Sequence, residues 1–543
     1  MSPEVCAPPA AGNATASGGA SHTGRIARST GTLAMAIGLS RALGFLRDLL
    51  MARLFGTLAE AQAFVVAFRL PNLMRDLVAE GAVTSAFVPV LSWYRAKGQV
   101  QQFWRLSQTL LVRLLVLLAG LGVFGILAAP LIVRVVAPGF GADPEKFALT
   151  VRLTRILFPF ITLVGLWAYF MGLLNSLRHF AVPALGPAIL NLCMIAACVW
   201  VVPRAAGPGV VALAVSVMIG GVIQLAVQVP VALRLGFRWR WQWRHPGSRQ
   251  VLRLLGPRMV GAAVYQGSVL ADTALASLSR IVGEGAVAAL YYANRLVQLP
   301  LALFGTASAQ ASLPSLAEQA ARNDLAGFRG TLVSVLRMVG FVILPSSVAL
   351  TVLAFPIVGG LFERGAFDHR ATVMTARALI CYSAGLLAYA VSKVLSGAFY
   401  ALQDSRTPVT LAVEAFALNL MLNVALMWPL QVSGLALATS LSNAQNAFRL
   451  IRRMERRLDT PILQPVAGAW LRMLAASLVM GGCCWLLWQG LGAHLRPWIG
   501  LPLVVAAGIA GYAVACRAFG VQELTTIARW LSKIPGVQLF FSE

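Results

Sequence analysis

The chain has 543 residues, 58% of them hydrophobic and 12% charged, where a soluble globular chain carries roughly 45–50% and 25%. Mean hydropathy is +0.76, and apolar blocks recur from about Gly31 to Ala518, which excludes a soluble multidomain enzyme and describes an all-α polytopic membrane protein. Lys and Arg number 44 against 19 acids, a net charge of +25; many arginines lie inside or at the ends of apolar blocks, which suits anionic lipid or cargo and not nucleic acid.

Residues 1–29, rich in Ala, Gly, Ser and Pro and without a signal-peptide core, read as a disordered cytoplasmic tail. Pro, Gly and charge then divide the chain into about fourteen transmembrane helices, near 30–55, 62–92, 105–136, 147–176, 181–203, 209–234, 250–281, 285–316, 328–355, 371–402, 408–429, 432–453, 466–490 and 497–518. The first six make an N-lobe, 30–234, followed by a basic cytoplasmic loop, 235–249. Helices 7–12 make a C-lobe, 250–453, and the last two occupy 454–518. In the tail at 519–543, ARWLSK reads as an amphipathic helix on the cytoplasmic surface.

Alternate loops carry the arginines, as the positive-inside rule requires. Arg25 and Arg28, Arg95 with Lys97, Arg178, the run from Arg234 to Arg249, Arg322, Arg406, and Arg449 to Arg457 fall on one side, so both termini are expected in the cytoplasm. The other loops, near Gly139–Lys146, Gly207–Gly209, Glu284 and Trp428–Gly434, are poor in Arg. Glu363–Arg370 is a mild exception. Landmarks recur about 225 residues apart: Pro89 and Pro314, Pro183 and Pro408, RLFG from Arg53 and RIVG from Arg280. Same-direction repetition after six spans predicts two six-helix lobes around a central cavity, related by an axis along the membrane normal, plus two C-terminal helices.

Charge at bilayer depth costs several kcal/mol even on lenient scales, so Arg41, Arg47, Asp48 and Arg53 in the first span should face a wet interior. The second span adds Arg69, Arg75, Asp76 and Glu80, and the eighth adds Arg295. Snorkelling and structural ion pairs explain any one of these. As a set drawn from opposite lobes they converge only across a cavity, and the guanidinium fork suits phosphate or diphosphate.

The segments SRALGFLRDLLMARLFG, AFRLPNLMRDLVAEGAVTSAFVPVLS, YYANRL and FYALQDSRTPV resemble the MurJ (MviN) family of lipid-linked cell-wall precursor flippases, in the multidrug/oligosaccharidyl-lipid/polysaccharide exporter superfamily. The resemblance runs from about Gly31 to Phe519. It implies a V-shaped cavity, a hydrophobic groove for the polyprenyl tail made by the last two helices, and transport of undecaprenyl-diphosphate-linked disaccharide-pentapeptide across the bacterial inner membrane, with the cell-wall synthesis machinery as a further partner. It assigns Arg41, Arg47, Asp48, Arg75 and Arg295 to substrate binding, and Gln62, Arg69, Glu80, Asn294 and Lys393 to the cavity or its gating. Gln62 and Asn294 stand where the family usually has acids, and acids restored there are expected to lie beside Arg47 and Arg295.

Asp272 is an intramembrane acid with three open readings: a sodium ligand, a structural hydrogen bond or ion pair, and a proton-coupling group. Glu414, Asn419, Asn423 and Ser440 are its candidate partners, since a hard cation needs several oxygens. No cofactor other than sodium is implied. No Walker run is present, so ATP does not drive the process. The histidines lack metal-ligand spacing, the glycines of GEG at Gly283 read as loop or packing residues, and the seven cysteines show no CxxC pairing and read mostly as small core residues. The competing readings are an exporter of another polyprenyl-linked glycan or drug, and a non-transporting scaffold for envelope assembly.

Overall fold

The computed structural model describes residues 38–75, 87–491 and 495–525. The tail at 1–29, Glu80 and the ARWLSK helix lie outside them. The secondary structure of the described residues is helical, without a strand. In the first half, α1 spans 38–55, α2 Ala59–Arg75, α3 Val88–Ala96, α4 Val100–Leu127, α5 Ala129–Val136, α6 Pro144–Leu157, α7 Phe160–Ser176, α8 Ala181–Ala184, α9 Gly186–Ala196 and α10 Gly209–Arg234. In the second, α11 spans Gly247–Ala276, α12 Ser279–Val282, α13 Ala286–Pro300, α14 Ala307–Ala321, α15 Leu325–Val352, α16 Ala354–Phe362, α17 His369–Ala384, α18 Leu386–Ala401, α19 Arg406–Leu458, α20 Leu463–Leu491 and α21 Pro497–Ala518.

Several expected spans are broken, and proline accounts for most breaks. The 105–136 block divides at Ala128, with Pro130 in the first turn of α5, and the 147–176 block divides at Phe158 and Pro159. Proline lacks an N–H and restrains the residue before it, so it starts helices more readily than it continues them. The 371–402 block bends by 45° between α17 and α18. Conversely α19 runs for 53 residues with one non-helical residue, Gln431 at φ 52° and ψ −130°, just after Pro429. A straight helix of that length would reach roughly 80 Å, far beyond a bilayer, and the kink falls between the expected spans 408–429 and 432–453.

Three of the few acids start helices. Asp143 accepts from the backbone N–H groups of Glu145 and Lys146, both at 3.1 Å, Asp324 from Gly327 at 2.8 Å and Asp368 from Ala371 at 2.7 Å, satisfying donors left open in a first turn. Among the described residues nine helices are long and apolar enough to cross a membrane, and ten if the bent α17–α18 pair is one span. The chain is thus an all-α polytopic membrane protein.

One large core runs through both halves, from Met51 and Phe64 to Tyr292, Phe399 and Met454. A second core joins α20 and α21 to α15, with Phe341, Met473, Met480 and Tyr512. Hydrogen bonds from Trp470 Nε1 to the Leu336 carbonyl (3.2 Å) and from Tyr512 OH to the Phe341 carbonyl (2.9 Å) fix that attachment. Lipid is as apolar as these side chains, so close packing and such hydrogen bonds hold the helices together.

Candidate functional site

Arg47 and Asp48 are 6% and 2% exposed in α1. Asp48 Oδ1 accepts from Arg47 Nη2 at 2.7 Å, Arg47 Nε at 3.1 Å and the Tyr291 hydroxyl at 3.0 Å. Its Oδ2 lies 2.9 Å from Arg295 Nε. Arg47 Nη1 donates to Asn191 Oδ1 at 3.0 Å, and Asn191 Nδ2 donates to the Ser40 carbonyl at 3.1 Å. Arg295 Nη2 donates to the Tyr291 hydroxyl at 3.1 Å, with its guanidinium 5.1 Å from that ring. One buried carboxylate therefore serves two guanidiniums from opposite halves of the chain. Among the described residues the cluster sets two guanidiniums on one carboxylate, and the accessible part is Arg295, whose side chain is 41% exposed against 7% for Arg47.

A second cluster lies around Asp272 near the end of α11. Asn423 Nδ2 donates to Asp272 Oδ1 at 2.6 Å and to Asn419 Oδ1 at 3.0 Å, while Asn419 Nδ2 lies 3.4 Å from Thr439 Oγ1. Asp272, Asn419 and Thr439 border a cavity of about 210 Å³ whose lining also includes Asn294 and Ser440. Asn423 Oδ1 is buried with no hydrogen-bond partner. Carboxylate, amide and hydroxyl oxygens of this kind suit a hard cation. Next to Asp272, Thr273 Oγ1 accepts from Arg69 Nη2 at 2.9 Å and Nε at 3.2 Å, which ties this pocket to α2. Glu414 pairs instead with Arg449, and Ser440 Oγ donates to the Cys381 carbonyl at 2.6 Å.

A third group joins the two halves at the end expected to face outward. Glu284 Oε1 accepts from Lys146 Nζ at 2.6 Å and from Gln62 Nε2 at 2.8 Å. Burial pushes the Glu284 carboxyl up, but the hydrogen bonds from Lys146 and Gln62 and the lysine charge outweigh it, and the net shift is below its ordinary 4.5. Gly139 N–H donates to Ser277 Oγ at 2.9 Å and Ala366 N–H to the Arg53 carbonyl at 2.9 Å. A Cβ on Gly139 would collide with the Ser277 carbonyl, and one on Gly56, at φ +53°, with the Ala366 carbonyl. Glycine is what allows these backbones to meet.

The expected site residues thus fall in separate places. Arg47, Asp48 and Arg295 meet in one cluster. Gln62 is buried and bonded to Glu284 and the Thr57 carbonyl, and Asn294 borders the Asp272 cavity. Arg41 is exposed in the first turns of α1, Arg75 ends α2 half-buried, and Lys393 is exposed on α18 with its Nζ 5.6 Å from the Tyr389 ring. Asn191, Thr273, Lys146 and Glu284 were not singled out from sequence. Asn191 is a lone amide in an apolar run, and Glu284 sits between two loop glycines, so neither carries a motif that marks it.

A sequence profile described as "Lipid II flippase MurJ" matches residues 51–497. The chain is 36% identical over 454 residues to the lipid II flippase MurJ of Burkholderia cenocepacia, covering 82% of this chain and 86% of that one. It is 35% identical over 509 residues to a probable lipid II flippase MurJ of Rhizobium tropici, covering 91% and 94%. A solved structure described as lipid II flippase MurJ in an inward closed conformation superposes with a TM-score of 0.76 at 24% identity, covering 90% of this chain and 98% of that one. An inward-facing multidrug resistance transporter of the MATE family superposes at 0.65 with 15% identity, covering 77% and 94%, a likeness of fold. The chain belongs to the MurJ family of lipid II flippases, which are transporters and not enzymes.

Proposed function

We propose that the chain carries lipid II, the undecaprenyl-diphosphate-linked disaccharide-pentapeptide, from the inner to the outer leaflet of the bacterial inner membrane by alternating access of two six-helix lobes. Family membership supports the cargo. The observation that carries the mechanism is the Asp48 cluster, in which one acid holds both Arg47 and Arg295. When the lobes part, the Arg295–Asp48 pair breaks while Arg47 keeps its neighbour on the same helix. A diphosphate offers Arg295 a bidentate partner and competes with Asp48 for it. Arg41 and Arg75 add cations for the headgroup, and Arg69, Glu80 and Lys393 complete the cavity or its gates.

The fourteen-span topology, with N-lobe 30–234, C-lobe 250–453 and a groove from 454–518, is supported by the nine apolar helices, or ten with the bent pair, among the described residues. The kinked α19 counts twice. The remaining expected spans are 250–281 and the only partly described 30–55 and 62–92; they bear Arg41, Arg47, Asp48, Arg69, Arg75 and Asp272, and helices lining a wet cavity need not be apolar throughout. With the loop at 235–249 and both termini in the cytoplasm, the contacts of Gln62, Gly139 and Arg53 close the outer end. Single-Cys reporters near Pro144 and Gly207 should label from outside, and those near Arg240 and Arg453 only after permeabilisation.

For the coupling ion, Asp272, Asn419, Asn423 and Thr439 would supply oxygens to sodium. The unpartnered Asn423 Oδ1 favours that reading, and the direct Asn423–Asp272 bond is what the ion would displace. The primary test is depletion of the protein in its host with leaflet-resolved measurement of lipid II. Accumulation on the cytoplasmic side is expected. A normal distribution would support a scaffold, and accumulation of a different lipid-linked glycan would support another exporter.

A further inference from the structure

The stretch from Gly236 to Pro246, between α10 and α11, forms no helix, and its sequence alternates two kinds of side chain: Arg238, Trp239, Arg240, Trp241, Gln242, Trp243, Arg244. Its backbone is fixed to the first half. Gln108 Nε2 donates to the Arg238 carbonyl at 2.8 Å, Arg113 Nε to the Trp243 carbonyl at 2.9 Å, and Arg113 Nη1 to Ser248 Oγ at 3.0 Å. Phe237 is buried against Trp104 and Phe170 at one end, and His245 is buried on Gln102 at the other. Between these anchors the side chains splay outward. Trp239, Trp241 and Trp243 are 53%, 66% and 47% exposed. Among the described residues the exposed side chains of Arg238, Arg240 and Arg244 make no hydrogen bond or ion pair.

We propose that residues 238–244 form a binding site for anionic phospholipid headgroups of the cytoplasmic leaflet. Three neighbouring indoles left in water would be a large apolar patch without an occupant, whereas the membrane boundary is where the amphipathic indole is most favourable. The depth agrees. The stretch follows directly on α10, whose Leu233 is exposed near its end, and the carbonyl of Trp243 is held by Arg113, about one helical turn from the exposed Val116 and Leu117 on α4. Arginines alternating with the indoles put fixed positive charge at phosphate level, and no acid interrupts the stretch, so lipid phosphate is the complementary partner. Because the backbone is already fixed, binding orders only side chains. Lipid held here would retain the first lobe at the boundary while the second moves.

The inference rests on the cytoplasmic placement of this loop, which the sidedness of thiol labelling at Trp241→Cys reports separately. A nitroxide at Trp241→Cys, in a Cys-free chain reconstituted in phosphatidylcholine with or without phosphatidylglycerol, should be accessible to oxygen and shielded from a water-soluble nickel chelate. The shielding should deepen with phosphatidylglycerol. In native mass spectrometry the wild type should retain phosphatidylglycerol over phosphatidylcholine, and Arg238→Gln, Arg240→Gln and Arg244→Gln should weaken that preference about five-fold each. A label that stays in water in both membranes overturns the site, as does undiminished phosphatidylglycerol retention by the triple variant. Shielding that needs an added soluble protein overturns it too, in favour of protein docking.

Discussion

Arg47 and Arg295 share one acid but differ in exposure, and that difference separates their roles. Arg47 is enclosed by Asp48, Asn191 and Tyr291, so Arg47→Ala leaves a buried carboxylate short of a partner and should cost about 3–5 kcal/mol of stability. Arg295 is part-exposed on α13. Arg295→Ala frees Asp48 Oδ2 but leaves Arg47 and Tyr291 on Oδ1, so it should cost less stability than Arg47→Ala while abolishing transport, and Arg295→Lys, which keeps charge but loses the fork, should lower transport by about ten-fold or more. Melting curves and a transport assay on the same preparations check this split. Sequence located both arginines, because charge inside an apolar block is conspicuous. It did not locate Asn191, since an amide in an apolar run looks alike whether it holds a guanidinium or a backbone carbonyl. The residue at 294 offers a further test. It borders the Asp272 cavity, so Asn294→Asp adds a carboxylate to the lining and should raise sodium affinity, seen as a larger stabilisation by sodium than by potassium. Equal stabilisation by the two ions would count against sodium there.

At the scale of elements, the contact among α2, α6 and the loop before α13 behaves as a pH-dependent clasp. Glu284 titrates below its ordinary value when held by Lys146 and Gln62, so the clasped form binds fewer protons than the open one. The clasp is then at full strength above the ordinary carboxylate range and weakens as pH falls through the depressed value. Spin labels across the outer ends of the two lobes should keep a constant distance from neutrality down to that range and separate only in stronger acid. Gln62→Glu places two carboxylates against one lysine and should move the separation to higher pH. An unchanged pH profile would mean that the clasp does not govern opening. Gly139→Ala should shift the same distance outward at every pH, because its Cβ meets the Ser277 carbonyl. Most of the helices themselves were legible from apolar block length. The breaks at Ala128, Phe158 and Gly385 were not, because hydropathy is averaged along a block, and a proline or glycine within it breaks the helix in some settings and is carried through in others, as Pro314 is in α14. The partnership of Gln62 with Glu284 was hidden for a related reason: it joins residues 222 apart, and no local pattern encodes such a pairing.

On the scale of the whole molecule, the bonds described here between residues 38–234 and 250–453 fall toward one end: Arg53 with Ala366, Gln62 and Lys146 with Glu284, Gly139 with Ser277, Arg69 with Thr273, and the Asp48 cluster inward of them. The alternating access proposed above requires that these part together. The most direct test reconstitutes the purified Cys-free chain bearing Arg53→Cys and Ala366→Cys with lipid II, and follows headgroup exposure at the outer face with and without a short, cleavable thiol cross-linker. Transport by the free protein, arrest when it is tethered and recovery on cleavage are expected. Undiminished transport by the tethered protein, or no movement of lipid II by the free one, would contradict alternating access.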